Sequence, residues 1–102
     1  SKVENMMLMF DYAKNFNQPL NKWDVGKVIN MYRMFKVASR FNNDIGNWDV
    51  SSVKDTSGMF NNAIDFNQPL NNWDVSSDMN MSEMFYRALS FNKPLNNWNV
   101  SS

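Results

Sequence analysis

The chain has 102 residues, ten Lys plus Arg against ten Asp plus Glu, and neither Cys nor His. That length fits one domain. Without Cys there are no disulfides, thiolate metal sites or thiol nucleophiles. Without a basic excess there is no stripe to neutralise phosphates, so nucleic acid is excluded as a partner. No apolar run approaches the roughly 20 residues of a spanning helix, so this segment makes no direct membrane insertion.

One 25-residue unit is written four times, at 3–27, 28–52, 53–77 and 78–102. Trp23, Trp48, Trp73 and Trp98 keep the step, as do Phe10, Phe35, Phe60 and Phe85. A fixed period in this range is the sequence signature of a solenoid or array. The reading is one solenoid domain over 1–102, which opens mid-repeat as a segment of a longer array would. The segment contains no signal peptide, and any export signal or anchor would lie outside it.

Within each unit the first element is a short predicted helix. Met31, Met34, Phe35 and Ala38 stand at i, i+3, i+4 and i+7, the apolar stripe of a helix. Met6, Met9, Phe10 and Ala13 repeat it, as do Met81, Met84, Phe85 and Ala88, while Thr56 replaces the first Met in the third unit. Asn5, Asn30, Asp55 and Asn80 precede the stripes as N-caps. A turn follows, Phe-Asn-x-Pro-Leu in three units, with Pro19, Pro69 and Pro94. Proline has no N–H for an interior ladder. Next, Asn47-Trp48-Asp49-Val50-Ser51 alternates apolar and polar, as a short strand does. Val3, Val28 and Val53 then add an inward residue before the next cap, and Met79 stands in where Asp78 breaks the pattern. The fold class expected is α/β: a right-handed, leucine-rich-repeat-like solenoid of helix-plus-strand units. Its parallel sheet would lie on the concave side, because strands pack closer than helices.

Three sets of residues carry the functional question. The Trp column reads as core together with the Phe10 column, the alternative being an aromatic platform for sugars. Asn17, Asn42, Asn67 and Asn92 read as a buried structural ladder, since an amide both donates and accepts. Asp24, Asp49 and Asp74, ended by Asn99, form an outward column of like charges. Hydrogen bonds from the following turn would offset their repulsion, as would Ca²⁺, but no EF-hand spacing is present and no metal or cofactor is assigned. Enzyme readings fail on inventory: there is no His, Cys, glycine-rich phosphate loop or Ser beside a base.

The segments Phe66-Asn67-Gln68-Pro69-Leu70-Asn71-Asn72-Trp73-Asp74-Val75-Ser76-Ser77 and Asn80-Met81-Ser82-Glu83-Met84-Phe85 resemble a roughly 25-residue bacterial surface-protein repeat. It occurs in mycoplasma lipoproteins and in some listerial and lactobacillal surface proteins, and is more distantly similar to BspA-like leucine-rich repeats. The resemblance spans all four units. It implies a cell-surface or secreted location, lipid or wall anchoring, and adhesion or host interaction. The leading expectation is a non-catalytic interaction domain that binds a protein or extracellular-matrix ligand. Its concave face would offer Lys22, Asp24, Asn47, Asp49, Asn72, Asp74, Asn97 and Asn99. The alternatives are a structural or antigenically variable spacer array and a glycan-binding module. End-to-end self-association is a further expectation, because neither end carries a polar capping repeat.

Overall fold

The apolar stripe Met31, Met34, Phe35 and Ala38 is laid down by consecutive tight turns. Met34 N–H bonds to Met31 C=O at 3.1 Å and Ala38 N–H to Phe35 C=O at 3.0 Å. The third residue of each turn has positive φ, 51° at Arg33 and 60° at Val37. That is the mark of a type II turn. The other units do the same, with positive φ at Leu8 and Tyr12, Gly58 and Asn62, and Glu83 and Arg87. The computed structural model describes residues 5–75, 79–95 and 98. Among these there is no helix, and strand pairing is confined to isolated parallel bridges linking Asn5, Asn30, Asp55 and Asn80 in succession.

The expected α/β leucine-rich-repeat-like solenoid of helix-plus-strand units is therefore wrong, and so is its parallel sheet on a concave face. Nearly no regular secondary structure forms among the described residues. The bonding shows why. Met31, Arg33, Phe35 and Val37 point their N–H groups at Asp55, Ser57, Met59 and Asn61 carbonyls of the next unit, at 2.7–3.0 Å. Met6, Leu8, Phe10 and Tyr12 bond in the same way to the second unit, and Thr56, Gly58, Phe60 and Asn62 to the fourth. Residues between them close turns within their own unit. Each unit is thus a layer of turned chain, numbered 1 to 4 in order, hydrogen-bonded to the next. Side-by-side helices need about 8–10 Å, whereas the stacked Phe rings are 5.3–6.0 Å apart. A flat ribbon of turns fits that spacing and a helix does not. A spacing of i, i+3, i+4, i+7 suits both, because the first and last residues of successive turns face the same way.

The expected strand is also a pair of turns, closed by Trp48 N–H to Ile45 C=O and Val53 N–H to Val50 C=O. Its alternation survives: Trp48 and Val50 are buried and Asp49 is exposed. Gly46 has a steric reason, since a Cβ there would lie 2.6 Å from the Pro69 carbonyl oxygen of the next layer.

The core runs through the layers as columns. Phe10, Phe35, Phe60 and Phe85 stack at 5.3–5.6 Å with interplanar angles of 2–7°. Phe16, Phe41, Phe66 and Phe91 form a parallel stack at 5.8–6.0 Å. The two stacks touch within each layer, at 4.3 Å for Phe35 and Phe41. Val28, Val53 and Met79 are buried, so Met79 does lie inside. Val3 and Asp78 lie outside the described residues.

Candidate interaction surface

Asx turns shape the surface. Asn5, Asn30, Asp55 and Asn80 accept through Oδ1 from the N–H two residues on, at 2.9–3.1 Å. Expected as helix caps, they cap turns, because the same short side chain serves both. Asp24 accepts from Gly26 N–H at 3.0 Å, and Asp44 from Gly46 N–H at 2.8 Å. Asp49 accepts from both the Ser51 hydroxyl, 2.6 Å, and the Ser51 N–H, 3.1 Å. Those bonds, the hydroxyl first, hold the Asp49 carboxyl below its ordinary pKa. Asp24, Asp49 and Asp74 are all exposed. Among the described residues no cluster of three or more His, Cys, Asp or Glu could hold a metal ion.

The Trp column is graded. Trp48 and Trp73 are 4% and 2% exposed, whereas Trp23 in layer 1 is 40% exposed. Each buried indole N–H donates to a carbonyl 28 residues back: Trp48 to Leu20, Trp73 to Ile45, and half-buried Trp98 to Leu70, at 2.8–2.9 Å. The indoles therefore stitch layers together as well as filling them.

The Asn residues form a ladder, but at the surface. Asn42 N–H donates to Asn17 Oδ1, Asn67 N–H to Asn42 Oδ1, and Asn92 N–H to Asn67 Oδ1, each at 2.9 Å. Asn17, Asn42 and Asn92 are exposed and Asn67 is half-buried. The amides these rungs satisfy lie where the chain rounds the layer edge. The Gln68 amide adds a second bond to Asn42 Oδ1 at 2.9 Å.

Of the residues expected on a concave strand face, Lys22, Asp24, Asn47, Asp49, Asn72 and Asp74 are exposed, and Asn97 and Asn99 lie outside the described residues. No strands carry them. They occupy two columns flanking the Trp column, Lys22, Asn47 and Asn72 on one side and Asp24, Asp49 and Asp74 on the other. Asn47 also donates to the Asn21 carbonyl at 2.9 Å. Beside the Asp49–Ser51 turn lies an open depression of about 450 Å³, lined by Lys27, Ile29, Ser51, Ser52 and Lys54. Sequence reasoning missed it. Its residues come from the junction of two units, and its one periodic signal is the Ser-Ser pair that closes a unit. Among the described residues no helix is long and apolar enough to cross a membrane.

Residues 1–98 match a family described as Mycoplasma protein of unknown function, DUF285. The chain belongs to that family. The match fits the mycoplasma resemblance and lends nothing to the more distant one, to BspA-like leucine-rich repeats. Searches of the curated proteins and of the solved structures gave no match.

Proposed function

We propose that this chain is a non-catalytic macromolecular-interaction domain of a cell-surface or secreted protein, whose ligand is a protein or extracellular-matrix component. The observation that supports the reading is the pair of exposed polar columns beside the Trp column. Layers 1 to 3 present the same order, Lys22 then Asp24, Asn47 then Asp49, Asn72 then Asp74. A surface that repeats at layer spacing suits an extended partner contacted at several equivalent points. It does not suit an enzyme, which needs groups in differentiated surroundings to split their pKa values.

The test is binding of the chain to immobilised extracellular-matrix and serum proteins and, in parallel, to a glycan panel. The variant is Lys22→Glu with Asn72→Lys, both at exposed positions. Saturable binding to a protein, weakened about tenfold by the variant at unchanged melting temperature, supports the reading; that factor is about 1.4 kcal/mol. Glycan binding in its place, or no binding to any of these, overturns it.

A further inference from the structure

Three internal junctions, between layers 1 and 2, 2 and 3, and 3 and 4, are built to one plan. Four N–H groups of one layer meet four carbonyls of the next, and the Phe columns run on across the junction. The two outer faces are the halves of the same plan. On layer 4 the amides of Met81, Glu83, Phe85 and Arg87 hold the positions that donate in the other layers, and have no acceptor among the described residues. On layer 1 the carbonyls of Asn5, Met7, Met9 and Asp11 hold the positions that accept, and have no donor among the described residues.

The side chains repeat the pattern. Met9 is 44% exposed, while its counterparts Met34 and Met59 are fully buried. Phe85, Phe91, Leu95 and Trp98 of layer 4 are only half-buried, although their counterparts in layers 2 and 3 are buried. Among the described residues Asn92 Oδ1 has the place of a ladder acceptor with no N–H above it, and the Trp23 indole N–H has no acceptor. Asp11 Oδ1 is buried with no hydrogen-bond partner among the described residues.

We propose that a second copy of this chain docks head-to-tail, its layer 1 on layer 4 of the first, and so forms a fourth junction of the internal kind. The occupant follows from the register. Four carbonyls at the spacing of four free amides are found on the other end of the same molecule. In that register Trp23 of the second copy donates to the Leu95 carbonyl, as Trp48 does to Leu20. Arg87 and Asp11 fall in adjoining columns. Because the two faces differ, the contact is heterologous and does not close on itself. Unpaired amides and carbonyls in a row are a template for such pairing.

The experiment uses the whole chain. Sedimentation equilibrium up to millimolar concentration is expected to show mass rising without a plateau at the dimer. Amide hydrogen exchange of the unmodified chain adds a readout free of variants. With rising concentration, Met81, Glu83, Phe85 and Arg87 gain about tenfold protection or more, while Met31 and Phe35 stay unchanged. Met9→Glu then blocks one face and Leu95→Glu the other. Each alone is monomeric, and an equimolar mixture gives a dimer and nothing larger. Constant monomer mass and unprotected layer 4 amides at millimolar concentration overturn the proposal. So does either variant self-associating alone with a cooperative melt, since that contact would not be head-to-tail.

Discussion

The indole N–H of Trp73 reaches 28 residues back along the chain to donate to the carbonyl of Ile45 at 2.9 Å. The same carbonyl already accepts the N–H of Trp48 at 3.1 Å, closing a turn in its own layer. One oxygen thus joins a turn to the layer that follows, and the buried Trp residues carry packing and a directed bond at once. Trp73→Ala should cost about 3–5 kcal/mol, the range for emptying a large core site. Trp73→Phe keeps most of the packing and should cost about 1–2 kcal/mol, because Ile45 retains one donor. Trp23→Ala, at a site 40% exposed, should cost clearly less than Trp73→Ala. Chemical denaturation of the three variants measures this; equal losses at positions 23 and 73 would contradict the graded burial.

The Asn ladder sits at the surface, so its rungs compete with water. Asn67→Ala removes the acceptor for Asn92 N–H, but that amide can be hydrated. The expected loss is about 0.5–1.5 kcal/mol, the net worth of an ordinary hydrogen bond. A fully buried orphan would cost more, about 1–3 kcal/mol. Thermal melts of Asn42→Ala and Asn67→Ala check the range, and a loss well above it would place the ladder inside.

Backbone conformation offers a sharper test. Val37 holds φ 60°, and a β-branched residue there is strained. Asn62 occupies the equivalent place one layer on with φ 59°, and Asn tolerates that region. Val37→Asn should therefore stabilise by about 0.5–1 kcal/mol, after some loss of side-chain burial. Gly58→Ala should do the reverse. Its φ is 63°, and a Cβ would come within 2.9 Å of Arg33 Cγ. A cost of about 1–2 kcal/mol is expected. Were these segments helical, Gly58→Ala would stabilise instead.

Those two residues also show what was legible in the sequence. The 25-residue period, the inward columns and the outward Asp column could all be read from spacing. The type of local structure could not, because a helix and a ribbon of type II turns place i, i+3, i+4 and i+7 on one side. The deciding signals were Gly58 and Asn62 inside a supposed helix, since Gly and Asn are the residues a positive φ selects. Leu8, Arg33 and Val37 hid that signal by adopting the same conformation without the matching side chain. The polar columns beside Trp were legible as outward. The depression between Lys27 and Lys54 was not, because it depends on how one layer hands over to the next.

The Asp49–Ser51 turn predicts a pH effect. Asp49 titrates below the ordinary Asp value because Ser51 bonds to its charged form. Its folded pKa is depressed, so its contribution to stability is present above the unfolded value, about 3.9. That contribution is lost as the pH falls through the lower folded value. Ser51→Ala should return the Asp49 titration toward the ordinary value and remove this part of the acid sensitivity. Carboxyl chemical shifts followed by nuclear magnetic resonance from neutral to acid pH measure it. An unchanged Asp49 titration in Ser51→Ala would sink the assignment.

Among the described residues most backbone bonds between layers point one way: twelve run from an N–H to a carbonyl of the later layer, and four, from Lys54, Asp65, Asn80 and Ser90, run back to the earlier one. In the ribbon of turns at 30–37 and 55–62 the peptide groups that bridge the stack have N–H toward the later layer and C=O toward the earlier one. Each such group carries a dipole of about 3.5 D, and aligned dipoles sum as they do along a helix. A chain with a formal net charge of zero is thereby an electrically polar body, carrying negative potential on its first face and positive on its last. It would turn in an applied field like a compass needle, and every layer added would lengthen the needle.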